Sequence, residues 1–142
     1  MREIRFRAWD NVKDRMYFVG EEDDISFELC SDGSFLGRDL NEGWDSSFPK
    51  LEHLQYMQYT GVSDKNGVLI FEGDLLKQRY SNKNVYEVVW RKNGFELKCD
   101  FTRKYEGDSW RESSFLPIHI DSYEVIGNIF EHPHLLELED PS

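Results

Sequence analysis

Cysteine is scarce in this 142-residue chain: Cys30 and Cys99 stand far apart, in neither a metal-binding nor a redox spacing. That excludes a disulfide framework and a thiolate metal knuckle, and it points to a thiol-reduced, cytosolic setting. Long apolar runs are missing as well. None approaches the ~20 residues that a membrane span requires. The opening MREIRFRAWD carries no apolar stretch of the signal-peptide kind, so the expectation is a soluble, cytoplasmic chain with no membrane partner. Positive charge is in deficit. Lys and Arg total 17 against 28 Asp and Glu, a formal net charge of −11. The cations are scattered, with the densest groups at Lys77/Arg79, Arg91/Lys92 and Arg103/Lys104. A non-specific nucleic-acid binder needs a positive field to neutralise phosphates, and this balance argues against one.

Aromatic residues, by contrast, are plentiful at 15%, enough for a packed core in one domain or two small ones. Their placement follows a period of two. Ile4, Phe6 and Ala8 alternate with Arg5 and Arg7, which reads as a half-buried strand. Asp10, Asn11 and Asp14 mark a turn, and Met16 to Val19 the return strand. Ile25, Phe27 and Leu29 alternate again, and after Ser31-Asp32-Gly33-Ser34 the pair Phe35-Leu36 folds back. Residues 37–50 are weakly patterned, contain Trp44 and read as a long loop. Trp44 is expected to fold back onto the sheet, with a ligand platform or subunit contact as the alternative.

The centre of the chain, MQYTGVSDKNGVLIFEGDLL, is written in hairpin chemistry. Asp64-Lys65-Asn66-Gly67 supplies the reversal, since Asn and Gly reach positive φ at low cost. Glu72-Gly73-Asp74 makes a second break, at which Asp74 is expected to accept backbone N–H groups. Beyond it, Ser81-Asn82-Lys83-Asn84 turns the strand that begins at Leu75. Tyr86, Val88 and Trp90 alternate inward, Lys92-Asn93-Gly94 signals another hairpin, and Phe95, Leu97 and Cys99 run back. Residues 102–113 are polar apart from Tyr105 and Trp110 and read as a surface loop. Phe115 opens the last β segment, and residues 128–138 carry short helical potential with Pro133 near the first turn. The fold class is therefore mostly β: a β-rich N-terminal region over 1–55, a small SH3-like or OB-like barrel over 56–142, and a short C-terminal helix.

Chemical motifs are few. His132-Pro133-His134 offers two imidazoles, and His53 and His119 stand apart; zinc wants three or four ligands, so surface histidines are expected and no metal. Glu21-Glu22-Asp23-Asp24 is contiguous, without the spaced ligands and turn glycine of a calcium loop, and reads as a solvated hairpin tip. Ser46-Ser47 and Ser113-Ser114 have no nucleophile-elbow context, Cys99 lies within a strand, and Gly73 and Gly127 are isolated glycines rather than a phosphate cradle. The pair Glu72/Asp74 brackets a turn. No catalytic residue and no cofactor site emerges. Tyr56, Tyr59, Phe71, Tyr80, Tyr86, Trp90 and Phe95 fall on neighbouring strands, where core packing is the expectation and stacking of bases or peptides the alternative.

Three blocks, IRFRAWDNVKDRM, MQYTGVSDKNGVLIFEGDLL and YEVIGNIFEHPHLL, resemble in order and spacing the YopX family of small bacteriophage and prophage proteins. The likeness runs from Ile4 to Leu136. It implies a C-terminal SH3-like barrel from about Tyr59, a β-rich portion before it and a phage or prophage origin. It implies no catalytic residue. The family usually carries Asn-Pro and an acid where this chain has His132-Pro133-His134, a departure that argues further against a metal there. The function expected is that of a non-enzymatic accessory protein acting on a protein partner or on itself as a homo-oligomer. Two alternatives stand beside it. One is an acidic DNA mimic that inhibits a host nucleic-acid-binding protein, motivated by the charge of −11. The other is a single-strand binder that uses a basic groove around Lys77, Arg79, Arg91 and Lys98.

Overall fold

A computed structural model describes residues 3–41, 48–78, 84–118 and 122–136. Trp44, Ser46, Ser47, Arg79, Tyr80, the turn residues Ser81 to Lys83, and His119, to which expectations were attached, lie outside the described residues. The chain is mostly β and divides into two compact units, Glu3–Gln58 and from Tyr59 onward.

In the first unit β1 (Phe6–Asp10) pairs antiparallel with β2 (Arg15–Phe18) across a turn in which Asp14 holds φ 50°. β3 (Ile25–Leu29) pairs with β4 (Phe35–Asp39), and β4 with β5 (Lys50–Leu51). The region read as a loop from residue 37 thus begins and ends in strand, because Phe35 to Asp39 matches Ile25 to Leu29 residue for residue. The expected period-two alternation holds only in part: Arg7, read as outward, is buried along with Ala8 and Trp9, while Ile4 and Leu29, read as inward, are exposed. Ala8, Tyr17, Ile25 and Leu54 form the core, and Phe27, Leu51 and Tyr56 pack against it. Gly37 is required there: a Cβ would stand 3.0 Å from Leu54 Cδ1 and 3.4 Å from the Phe27 ring.

β6 (Gln55–Ser63) pairs with β1 through residues 55–58 and then, from Tyr59, with β7 (Leu69–Phe71). The second unit's main sheet has the order β11-β10-β9-β8-β12, from β8 (Asp74–Gln78), β9 (Val85–Arg91), β10 (Gly94–Tyr105), β11 (Asp108–Leu116) and β12 (Tyr123–Asn128). Its core is Ile70, Leu76, Tyr86, Val88, Leu97, Cys99 and Tyr123. Register breaks between Tyr59 and Ser63 and between Val125 and Gly127 bend β6 and β12, as bulges do.

Three expectations change here. The stretch 102–113 is not a surface loop. It forms the outer halves of β10 and β11, joined by Glu106 (φ 49°) and Gly107 (φ 85°) in the two-residue reversal that suits strand twist. Core alternation is absent from it because neither face is buried, which is why period-two reading passes over it. Trp90 does not join Tyr86 and Val88 inside; it is 53% exposed and meets Phe95 edge-on at 4.9 Å. It lies one residue from the β9–β10 turn, beyond the end of the core. In place of the C-terminal helix the described residues hold one 3-10 turn, Pro133–Leu136.

Candidate interaction surface

The polar cluster that most resembles a reactive centre is built around Asp10 at the end of β1. Its carboxylate accepts from Tyr17 Oη at 2.8 Å, from the N–H groups of Val12 and Lys13, and lies 2.7 Å from His53 Nε2. Burial pushes its pKa up, but the bonds from Tyr17, Lys13, His53 and Val12 outweigh that and bring it down to about 2. Burial and the bond to Asp10 push the Tyr17 phenol upward. Lys13 reaches Asp39, whose other oxygen accepts from Asn41 N–H. The carboxylates are engaged with backbone and neighbours, so the arrangement pins a hairpin end.

The other singled-out residues have local duties. Asp74 accepts from Phe71 N–H at 2.8 Å, as the turn reading expects. Asp64 accepts from Asn66 and Val68 through Oδ1 and from Val125 through Oδ2, which ties the central turn to β12. His132 Nδ1 accepts from Asn128 N–H, and its ring fills the space a Cβ on Gly127 would need, with Nδ1 2.6 Å away. Its centroid lies 6.2 Å from that of His134. Among the described residues no group of three His, Cys, Asp or Glu side chains is placed to hold a metal ion. Arg15 binds Glu22 and Asp24 at the acidic tip. Burial, followed by the charge of Asp100, raises the Cys99 thiol above its ordinary value. Of the aromatic set, Tyr59, Phe71 and Tyr86 are buried, Tyr56 and Phe95 half-buried.

The surface with recognition chemistry lies on the β10–β11 arm. Beyond Lys98, described pairing of β10 is with β11 alone. Residues opposite in an antiparallel pair share a face. One face therefore carries Phe101, Arg103 and Tyr105 from β10, and Asp108, Trp110 and Glu112 from β11. Tyr105 is 67% and Trp110 42% exposed. Arg103 Cζ stands 5.2 Å from the Phe101 ring centre, Arg103 Nε lies 2.7 Å from Glu112, and Trp110 Nε1 donates to the same carboxylate at 2.8 Å. The Trp110 bond and the Arg103 charge hold Glu112 below the usual carboxylate range. The network fixes the Trp110 ring while leaving it in water. On the opposite face Arg91 covers the Phe115 ring at 3.6 Å. Only the exposed Tyr105 and Trp110 within an otherwise polar stretch signalled this surface in the sequence.

The family model for YopX protein matches residues 5–137, nearly the whole chain. The chain belongs to the YopX family. Two solved structures resemble this YopX-family chain in fold. Protein EF1440 from Enterococcus faecalis is 24% identical, with a TM-score of 0.60, covering 96% of this chain and 100% of that one. Protein yopX from Bacillus subtilis is 16% identical, with a TM-score of 0.58, covering 99% and 100%. No curated protein matches this YopX-family chain.

Proposed function

We propose that this YopX-family chain is a non-enzymatic phage or prophage accessory protein that acts in the bacterial cytoplasm by binding protein, using no cofactor. Residues 56–142 serve as a small SH3-like barrel that carries the β10–β11 arm, with the β-rich residues 1–55 ahead of it. The observation that carries this reading is the arm's aromatic face, where Tyr105 and Trp110 stand exposed on a strand pair outside the core. Aromatic side chains held rigid by neighbours bind partners at low entropic cost. The alternatives draw less support. Arg91 and Lys98 of the expected nucleic-acid groove are each beside a carboxylate, Glu96 and Asp100. Acids such as Glu22, Asp24, Glu112 and Glu124 are likewise interspersed with cations, unlike the bare anionic row of a DNA mimic.

The test is affinity capture from host cells with the wild type and with the double variant Tyr105→Ala/Trp110→Ala. The expected result is a specific protein, or the chain itself, retained by the wild type and lost with the variant while its circular dichroism spectrum stays unchanged. Retention equal in both refers recognition to another surface and overturns the reading.

A further inference from the structure

The two edges of the second unit's main sheet are treated differently. β12 is bulged, and its outer groups are occupied: Tyr123 C=O accepts from Lys65 N–H at 3.4 Å, and Val125 N–H donates to Asp64 at 2.9 Å. Among the described residues β11 shows neither a bulge nor such occupied outer groups. Its register with β10 runs unbroken from Asp108 to Leu116, with no proline, lysine or bulge inside it. Such an edge is a template for a further strand.

The geometry fixes which groups are on offer. Tyr105 and Asp108 flank a two-residue turn, so they form a hydrogen-bonded pair, and alternate pairs along the arm do likewise. The β9–β10 turn, flanked by Arg91 and Gly94, gives the same parity. The N–H and C=O groups of Ser109, Arg111, Ser113 and Phe115 therefore point away from β10.

We propose that this edge pairs with β11 of a second copy, antiparallel, about a two-fold axis at Ser113; this deepens the protein-binding reading and rests on it. In that register Ser113 faces Ser113 and Arg111 faces Phe115, and each pair exchanges both of its backbone bonds. Trp110 falls opposite Leu116, itself 38% exposed, and Glu112 opposite Ser114. No like charges stand directly opposite each other. Registers nearer the turn fare worse: an axis at Arg111 or Glu112 opposes two guanidinium or two carboxylate groups, and one at Trp110 sets Glu112 against Asp108. An axis at Ser114 sets Arg111 against Pro117, which has no N–H to give. The interface joins the two main sheets into one and covers both Trp110 rings with Leu116 side chains.

Sedimentation equilibrium of the full chain tests this. The wild type sediments as a dimer at micromolar concentration. Ser113→Pro removes an N–H that β10 does not use and raises the dimer dissociation constant tenfold or more, whereas Ser113→Ala, which loses only the hydroxyl bond to Asp100, stays dimeric. Because Ser113→Pro also disturbs the arm, Ser113→Cys gives an independent reading. Facing Cα atoms in a hydrogen-bonded pair lie about 5.5 Å apart, within the span of a disulfide. Air oxidation is expected to link this variant as a dimer, and to leave Thr102→Cys on β10 unlinked. A wild type that is monomeric throughout, or a dimer untouched by Ser113→Pro with Ser113→Cys unlinked, overturns the self-pairing. Loss of partner capture by the Tyr105→Ala/Trp110→Ala variant in a chain found to be monomeric keeps the binding reading while ending this one.

Discussion

Asp10 is fully buried yet stays ionised, because its oxygens receive two backbone N–H groups, a phenol and an imidazole. Its folded pKa of about 2 lies below the unfolded value of 3.8. The stability it contributes, on the order of 2 kcal/mol, is thus present above about pH 4 and lost as pH falls toward 2. Tyr17→Phe removes one of those bonds. Urea unfolding is expected to show it about 1–2 kcal/mol less stable than wild type at pH 7, with the difference narrowing by pH 2.5. A gap that widens in acid contradicts this account. Gly127 makes a steric prediction. Gly127→Ala presses on His132 and breaks its bond to Asn128, at a cost of about 1–3 kcal/mol. His132→Ala makes room, so the double variant is expected to be more stable than the sum of the two single losses, a coupling that a double-mutant cycle measures.

The arm is a strand pair whose outer residues take no part in the core of Ile70, Leu76, Tyr86, Val88, Leu97, Cys99 and Tyr123. Shortening it, by replacing residues 102–111 with an Asn-Gly reversal between Phe101 and Glu112, keeps every core member and the paired stretch up to Phe101. The thermal midpoint is expected to shift by no more than a few degrees while partner capture and dimerisation vanish. A collapse of the melting transition means the arm is a stability element instead. The central turn behaves oppositely. Asp64→Asn turns an amide donor toward the Val125 N–H that Oδ2 now accepts, and is expected to cost about 2–3 kcal/mol in urea.

Each molecule carries −11 charges, so two copies approaching along β11 repel at long range. The proposed register opposes no ion pairs across the axis, and repulsion is then the main salt-dependent part. Raising NaCl from 0.1 M to 1 M shortens the screening length from about 10 Å to about 3 Å. The dimer dissociation constant is expected to fall several-fold across that range in sedimentation runs. A rise indicates association through salt bridges, which this register does not contain.

Strand positions and turns were legible in the linear chain because they rest on short-range causes. Alternation at Ile25–Phe27 and Tyr86–Val88 needs only a face to bury, and Asp64–Gly67, Glu72–Asp74 and Lys92–Gly94 need only backbone angles and a nearby acceptor. The YopX likeness was legible for the same reason, being carried by those turn blocks and confirmed over residues 5–137. The arm was not. Its strands bury neither face, so no periodicity marks them, and their order comes from one register that continues outward from Leu97 and Leu116. Partners such as Asp10 with His53 or Asp64 with Val125 lie 43 and 61 residues apart. Nothing local selects them. Such pairs, and the difference between a guarded β12 edge and an open β11 edge, arise only when the chain has folded and distant backbone groups either find each other or are left facing water.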